Sequence, residues 1–105
     1  MISVTIFRNK ERQIYGFTVS SHGKDLVCAA VSLLTLNTVN SIEALTDENI
    51  VYDYDPKGGF LKLELPDAIE GKCGSDAALL LESMVMGLYS VNERYGNEIE
   101  LEEIL

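Results

Sequence analysis

Two side chains near the start of the sequence have the chemistry of a nucleophile and a base. His22 lies six residues before Cys28 in the stretch SSHGKDLVCAAVS. A thiolate attacks carbonyl carbon, and an imidazole, with an ordinary pKa of about 6.5, can take the thiol proton and return it to a leaving amine. Five intervening residues allow the chain to fold back and bring the two side chains together. The pair therefore predicts acyl transfer.

Neighbouring residues add to this hypothesis. Asp25 is a favoured residue for capping the start of a helix, which places Cys28 in the first helical turn, where unpaired N–H groups and the helix dipole stabilise a thiolate. Backbone amides near Cys28 and Ala29 are candidates for an oxyanion hole. Ser32, four residues on, lies on the same side of the helix. Asp25 could instead orient the imidazole.

Burial is the competing explanation for Cys28. Cysteine is among the most buried residue types, and one Cys-His pair arises easily by chance, so the residues alone favour a merely buried thiol. Cys73, in the loop GKCGS, has no histidine near it in sequence and is interpreted as an incidental thiol.

No metal or cofactor is predicted. Met84 and Met86 are interpreted as core packing and not as ligands. Glu100, Glu102 and Glu103 lack the spacing of a metal-binding loop and are typical of a solvated chain end.

Composition and charge exclude several classes of protein. The 105 residues are 47% apolar and 24% charged, as in an ordinary globular domain, and we expect one domain over residues 1–105. Seventeen acidic against eight basic residues give a net charge of −9, which opposes direct binding to nucleic acid or anionic lipid. A cationic peptide or protein would be attracted, although solubility alone also accounts for such a charge.

The location of the protein is expected to be cytoplasmic. No stretch is expected to reach the length of a membrane span, and MISVTIFRNK alternates like a strand and does not resemble a signal peptide. The two cysteines have no metal-type spacing and are expected to be reduced thiols.

The first half of the chain predicts a hairpin and a long helix. Residues 2–7 and 14–20 are β-rich runs joined by a polar turn. Residues 26–45 are too long for a strand and are apolar on nearly every face, so a buried helix is expected. Because no charge lies between Asp25 and Glu43, this helix should be covered by a sheet on one side and by another helix or subunit on the other. A dimer is therefore plausible on these grounds.

The second half predicts a similar pattern. Strands at 49–55 and 59–65 flank the turn Asp55-Pro56-Lys57-Gly58. A helix runs from an N-cap at Ser75 to about Tyr95, where Gly96 ends it, and its apolar residues recur at helical spacing: Leu79, Leu80, Met84, Leu88 and Val91. The tail is expected to add a short edge strand. The prediction is an α+β two-layer sandwich in the order β-β-α-β-β-α, with two helices on one face of a mostly antiparallel sheet.

Several segments resemble the bacterial ribosomal-processing cysteine protease family across nearly the whole chain. They are the opening MISVTIFRN, FTVSSH ending at His22, DLVCAAVS, TVNSIEAL, KGGFLKLEL and LLLESMVMGLYSVNERYGNEI. The most specific of them is DLVCAAVS preceded by a histidine after the second strand.

The resemblance implies a cytoplasmic, homodimeric cysteine protease. Such an enzyme removes the N-terminal extension of a large-subunit (50S) ribosomal protein, and it cuts after an aromatic residue and before small ones. The family's catalytic histidine falls on His22 and its nucleophile on Cys28, while its motif aspartate and serine fall on Asp25 and Ser32.

One departure from the family pattern leaves a second hypothesis open. Family members usually carry a glycine before the histidine and a longer, glycine-containing loop before the cysteine, whereas here Ser21 precedes His22 and only GKDLV intervenes. The short loop favours the alternative of a non-catalytic dimeric module that binds a ribosomal protein through its acidic surface.

Overall fold

The computed structural model describes residues 1–21 and 26–105. In this part of the chain five strands and three helices follow in the order β-β-α-β-β-α-α-β: β1 Ile2–Arg8, β2 Ile14–Ser21, α1 Leu26–Leu45, β3 Val51–Tyr54, β4 Phe60–Glu64, α2 Pro66–Ile69, α3 Ser75–Tyr95 and β5 Ile99–Ile104. The α+β class and both hairpins are as predicted.

The strands form one sheet in the order β3-β4-β2-β1-β5. Three pairings are antiparallel, and β5 lies parallel to β1. Apolar residues alternate along the central strands, so one face of the sheet is buried: Ile6, Phe17 and Leu63 face one another on β1, β2 and β4 and are fully covered. The opposite face carries mainly polar side chains.

The long helices α1 and α3 pack against each other and close the core. Gly87 on α3 permits their close approach, because a Cβ there would lie 3.0 Å from Cδ2 of Leu34 on α1. Thr35 and Thr38 are buried on α1, and their hydroxyls donate to the backbone oxygens of Val31 and Leu34 at 2.8 and 2.7 Å. These bonds satisfy the buried polar groups without an external partner.

Two elements differ from the predicted order. The four-residue helix α2 begins with Pro66, which suits a first helical turn, and it was not predicted, so the expectation of two helices was wrong. The tail does form an edge strand, β5, but it pairs in parallel with β1. Arg8 at the end of β1 fixes this edge by donating to Glu103 on β5 at 2.8 Å and to both carboxylate oxygens of Glu82 on α3.

Helix α3 also corrects three expectations. Gly74, and not Ser75, is the N-cap residue, and its N–H donates to the Glu48 carboxylate at 2.8 Å. Met84 lies in the core as predicted, but Met86 is 72% exposed and Leu79, expected on the apolar stripe, is 70% exposed. The apolar residues of α3 do recur at helical spacing, as predicted. The buried face includes Leu81 and Val85 in place of Leu79.

Helix α1 is only partly covered by this chain. Its buried stripe consists of Val27, Val31, Thr35, Thr38, Val39 and Ile42. Leu26 and Leu33 are 65% and 71% exposed on the side away from the sheet. By length and composition α1 is apolar enough to cross a membrane, contrary to the expectation that no segment reaches that length. Its buried stripe accounts for part of that composition, and one such helix is weak evidence for a membrane span, since core helices pass the same test.

Candidate active site

Cys28 lies in the first turn of α1, as its third residue. The side chain is half-buried and packs against the core cluster, beside Val27 and Val31. A thiol at this position is close to the positive end of the dipole of a 20-residue helix. The first turn of a helix is one of the places where nucleophilic cysteines are found.

Two of the predicted site residues lie outside the part of the chain that the structure describes. His22 and Asp25 lie between the end of β2 at Ser21 and the start of α1 at Leu26, outside the described residues. The dyad and the capping or orienting role of Asp25 therefore stay predictions. Ser32 is described: it is exposed on α1, one turn after Cys28.

A cleft of about 120 Å³ lies beside α1, on the side of the helix that carries Ser32. Ser32, Thr35 and Leu36 line it from the helix, at spacings of four, seven and eight residues from Cys28. Such spacings keep side chains on one side of a helix. The sheet and the β3–β4 turn supply the other wall, with Val19, Tyr54, Asp55, Gly58, Gly59, Phe60 and Leu61.

The β3–β4 turn is held by its own hydrogen bonds. The side-chain carboxylate of Asp55 accepts from the backbone N–H of Lys57 at 2.9 Å. The backbone carbonyl of Asp55 accepts from the N–H of Gly58 at 2.8 Å. Gly58 and Gly59 have φ angles of 86° and 95°, which suit glycine. The turn therefore brings backbone without side chains to the edge of the cleft.

Comparison with known proteins decides the family. The sequence model described as Cysteine protease Prp matches residues 1–100. The chain belongs to the cysteine protease Prp family. A Bacillus subtilis (strain 168) relative named Ribosomal processing cysteine protease Prp is 28% identical over 96% of both chains. A Staphylococcus aureus (strain Mu50) protein of the same name is 31% identical over 96% of this chain and 97% of its own length.

Solved structures of the Prp family share the fold. The crystal structure of an essential ribosomal processing protease Prp from S. aureus with a covalently linked product peptide has a TM-score of 0.88 and 31% identity, and the match covers 99% of this chain and 100% of that one. The same S. aureus protease with a substrate peptide gives a TM-score of 0.87 at 29% identity. The family resemblance inferred from the sequence is confirmed.

Cys73, the second cysteine of the chain, lies in an environment that disfavours a thiolate. Burial raises the pKa of Cys73 to about 11, and the nearby carboxylates of Glu48 and Asp67 contribute in the same direction. Its thiol donates to the Gly74 carbonyl at 3.3 Å. At neutral pH this thiol is protonated, which supports its interpretation as an incidental cysteine.

We expect alkylation of Cys73 by iodoacetamide to be slow at neutral pH and to accelerate about tenfold per pH unit up to about pH 11, since only the thiolate reacts. Glu48→Gln should lower that pKa and speed the reaction, because it removes a charge while its amide oxygen can still accept from Gly74. Mass spectrometry of timed samples measures the rate, and urea-unfolded protein is the control. Equal rates in folded and unfolded protein would contradict the assigned environment.

The walls of the cleft are the part of the site that sequence reasoning missed. The sequence predicts Leu36 and Tyr54 only as part of a helix and of a strand. The eight-residue spacing from Cys28 to Leu36 was the available signal, but the approach of the β3–β4 turn depends on the sheet order. Among the residues that the structure describes, no group of three or more His, Cys, Asp or Glu side chains is arranged to hold a metal ion.

Proposed function

We propose that this protein is a cytoplasmic cysteine peptidase that removes the N-terminal extension of a large-subunit ribosomal protein. The observation that carries the proposal is the position of Cys28, in the first turn of α1 and on the side of the helix that borders a cleft. Full-length similarity to relatives named ribosomal processing cysteine proteases supplies the substrate class.

The proposed reaction has two stages. His22 takes the thiol proton, the sulfur of Cys28 bonds to the scissile carbonyl carbon, and backbone N–H groups at the start of α1 stabilise the oxyanion. The imidazolium then protonates the amine as the C–N bond breaks. Water, deprotonated by His22, hydrolyses the thioester and restores the thiol. Asp25 and Ser32 support the site in this proposal, Asp25 by capping α1 or by orienting the imidazole.

Charge supports a substrate of this kind. The chain carries a net charge of −9, and ribosomal proteins that bind RNA are basic because they neutralise phosphates. Opposite net charges speed the encounter of enzyme and substrate, and the effect falls as salt screens it. The acidic surface is therefore suited to a cationic protein and not to RNA.

The direct test is incubation of the protein with a peptide that spans the N-terminal extension and the following residues of a large-subunit ribosomal protein. Mass spectrometry should find one cut, after an aromatic residue and before small ones. A peptide that begins after the extension is the matched control and should stay intact. An uncut extension peptide, with folded protein in excess, would contradict the proposal.

The non-catalytic binding module remains the second candidate, and the five-residue connection between His22 and Cys28 favours it. The two candidates differ in the reactivity of Cys28. For a peptidase we expect Cys28 to be alkylated at neutral pH much faster than Cys73, and His22→Ala should slow Cys28 without changing Cys73. A Cys28 rate that is indifferent to His22 would favour the binding module, since no imidazole would then activate the thiol.

A homodimer completes the proposal, with the outer face of α1 as the contact. This face is apolar and contains no charged residue between Leu26 and Asn40, so two copies of an acidic chain can meet there without repulsion.

We expect Leu33→Glu to shift sedimentation velocity from dimer toward monomer. Val51→Glu, at an exposed apolar site on the edge strand β3, should not. A chain that sediments as a monomer before substitution would contradict this part.

A further inference from the structure

A large open cavity lies between the β1–β2 turn and α2. Its volume of about 690 Å³ is within the roughly 300–1,000 Å³ of small-molecule sites. The cavity lies where β2 begins, whereas α1 and Cys28 follow the other end of that strand. Because β2 is eight residues long, its two ends are roughly 23 Å apart. A ligand in this cavity is therefore separate from the proposed peptidase site.

Cations are concentrated at the rim of this cavity. The chain has eight basic residues, and three of them, Arg8, Lys10 and Arg12, line the cavity within five positions of sequence. Arg8 forms ion pairs with Glu82 and Glu103. Lys10 and Arg12 are exposed and are in no ion pair among the described side chains. These two cations favour a ligand with an anionic group such as phosphate.

The backbone of Arg12 indicates a role for its side chain beyond the turn. Its φ is 66°, in the left-handed region that favours glycine. Two hydrogen bonds hold this conformation: the Arg12 N–H donates to the Asn9 carbonyl at 2.9 Å, and the Arg12 carbonyl accepts from Nη1 of Arg8 at 2.8 Å. Both bonds use backbone atoms of Arg12, so glycine would keep them without a strained Cβ. The fold of the turn therefore does not account for an arginine at this position.

The turn is held in place before any ligand binds. The Asn9 side chain accepts from the backbone N–H groups of Glu11 and Gln13 at 2.9 and 3.0 Å. The same side chain donates to the Ala68 carbonyl of α2 at 2.7 Å. The backbone of the turn is therefore fixed relative to α2, and such preorganisation lowers the entropic cost of binding.

Apolar and acidic side chains form other parts of the wall. Tyr15 is half-buried and Ile69 is 52% exposed, so a flat ring bound against them would cover apolar surface that water now contacts. Glu11 and Glu70 also line the cavity, and their carboxylates can accept from hydroxyl or amino groups. A nucleoside phosphate combines a flat ring, donor groups and an anion. A long polyanion fits less well, because the net charge of −9 repels it beyond the turn.

We propose that the cavity between the β1–β2 turn and α2 binds a nucleoside phosphate, with Lys10 and Arg12 on the phosphate groups and Tyr15 and Ile69 against the base. The site lies at the other end of β2 from Cys28, so it is independent of the proposed peptidase function. Its test measures binding and needs no cleavage.

Isothermal titration calorimetry of the full chain with ADP and GDP tests the site. At least one nucleotide should bind with a Kd below about 1 mM, while its nucleoside and inorganic pyrophosphate should each bind at least about tenfold more weakly. Arg12→Gln should weaken nucleotide binding about tenfold, and the remaining affinity should depend less on salt. Arg94→Gln is the matched control, since Arg94 is an exposed cation in the last turn of α3, and it should bind like the parent.

Arg12→Gly separates a binding role from a structural one. This variant should lose as much affinity as Arg12→Gln, while its Tm equals or exceeds that of the parent, because glycine relieves the positive φ. A Tm several degrees below the parent would overturn the inference, since the arginine side chain would then hold the turn. No binding of either nucleotide, binding of a short acidic peptide in their place, or equal affinities in Arg12→Gln and Arg94→Gln would also overturn it.

Discussion

Replacing Cys28 with alanine is expected to reduce cleavage of the extension peptide by at least about four orders of magnitude. The reaction proposed for this chain begins with a bond from the Cys28 sulfur to carbonyl carbon, and removal of a nucleophile typically leaves only the small contribution of binding and oxyanion stabilisation. The initial rate with excess peptide, followed by mass spectrometry, measures the effect. Circular dichroism should show an unchanged fold, because the substitution removes only one half-buried sulfur.

Cys73→Ala is the matched control for this experiment. Its side chain is also half-buried, and its raised pKa leaves it protonated at neutral pH, so the variant should cleave at the parent rate. Retained activity in Cys28→Ala, or a comparable loss in Cys73→Ala, would remove Cys28 from the role of nucleophile.

Replacing Phe17 with alanine is expected to lower the free energy of unfolding by about 3–5 kcal/mol. Phe17 lies on the central strand β2, has no exposed surface, and faces Ile6 and Leu63 on the neighbouring strands, which are also fully buried. A loss of that size is a large part of the roughly 5–15 kcal/mol by which domains are stable. Urea unfolding followed by fluorescence or circular dichroism gives the difference.

Phe60→Ala provides the comparison of equal chemistry. Phe60 is at the start of β4, 39% exposed and opposite Ser20, so the same truncation should cost less than half as much. Equal losses for the two variants would contradict the assignment of the core to the helix-covered face of the sheet.

The elements that sequence predicted well are those that local patterns determine. The β-rich runs over 2–7 and 14–20, with a polar turn between them, predicted β1 and β2. The length of the apolar run at 26–45 decided for a helix, and Gly96 was correctly expected to end α3, where its φ is 87°.

The errors arise where packing between distant segments decides. The exposure of Met86 and Leu79 depends on the rotation of α3 against α1, which spacing alone does not fix. The N-cap residue of α3 is Gly74, whose N–H donates to the carboxylate of Glu48, 26 residues earlier, whereas a local search pointed to Ser75. β5 pairs in parallel with β1, which is far from it in sequence, so no local pattern indicates its direction.

The candidate site also has one part that local patterns predict and another part that depends on packing between distant segments. Cys28 and Ser32 were predictable because their spacing lies within one helix. The cleft needed the sheet order, since Leu36 and Tyr54 meet only when the β3–β4 turn comes beside β2 and α1. His22 and Asp25 stay predictions from the sequence.

The pairing of β1 with β5 has a consequence for synthesis of the protein. Ile2 pairs with Ile99, so the first strand acquires its parallel neighbour only when β5 has left the ribosome. Contacts of such high sequence separation form late and slow folding, because a long loop must close first. The sheet is therefore completed only after β5 has emerged, and a nascent chain that has not yet exposed β5 would lack its finished β1 edge.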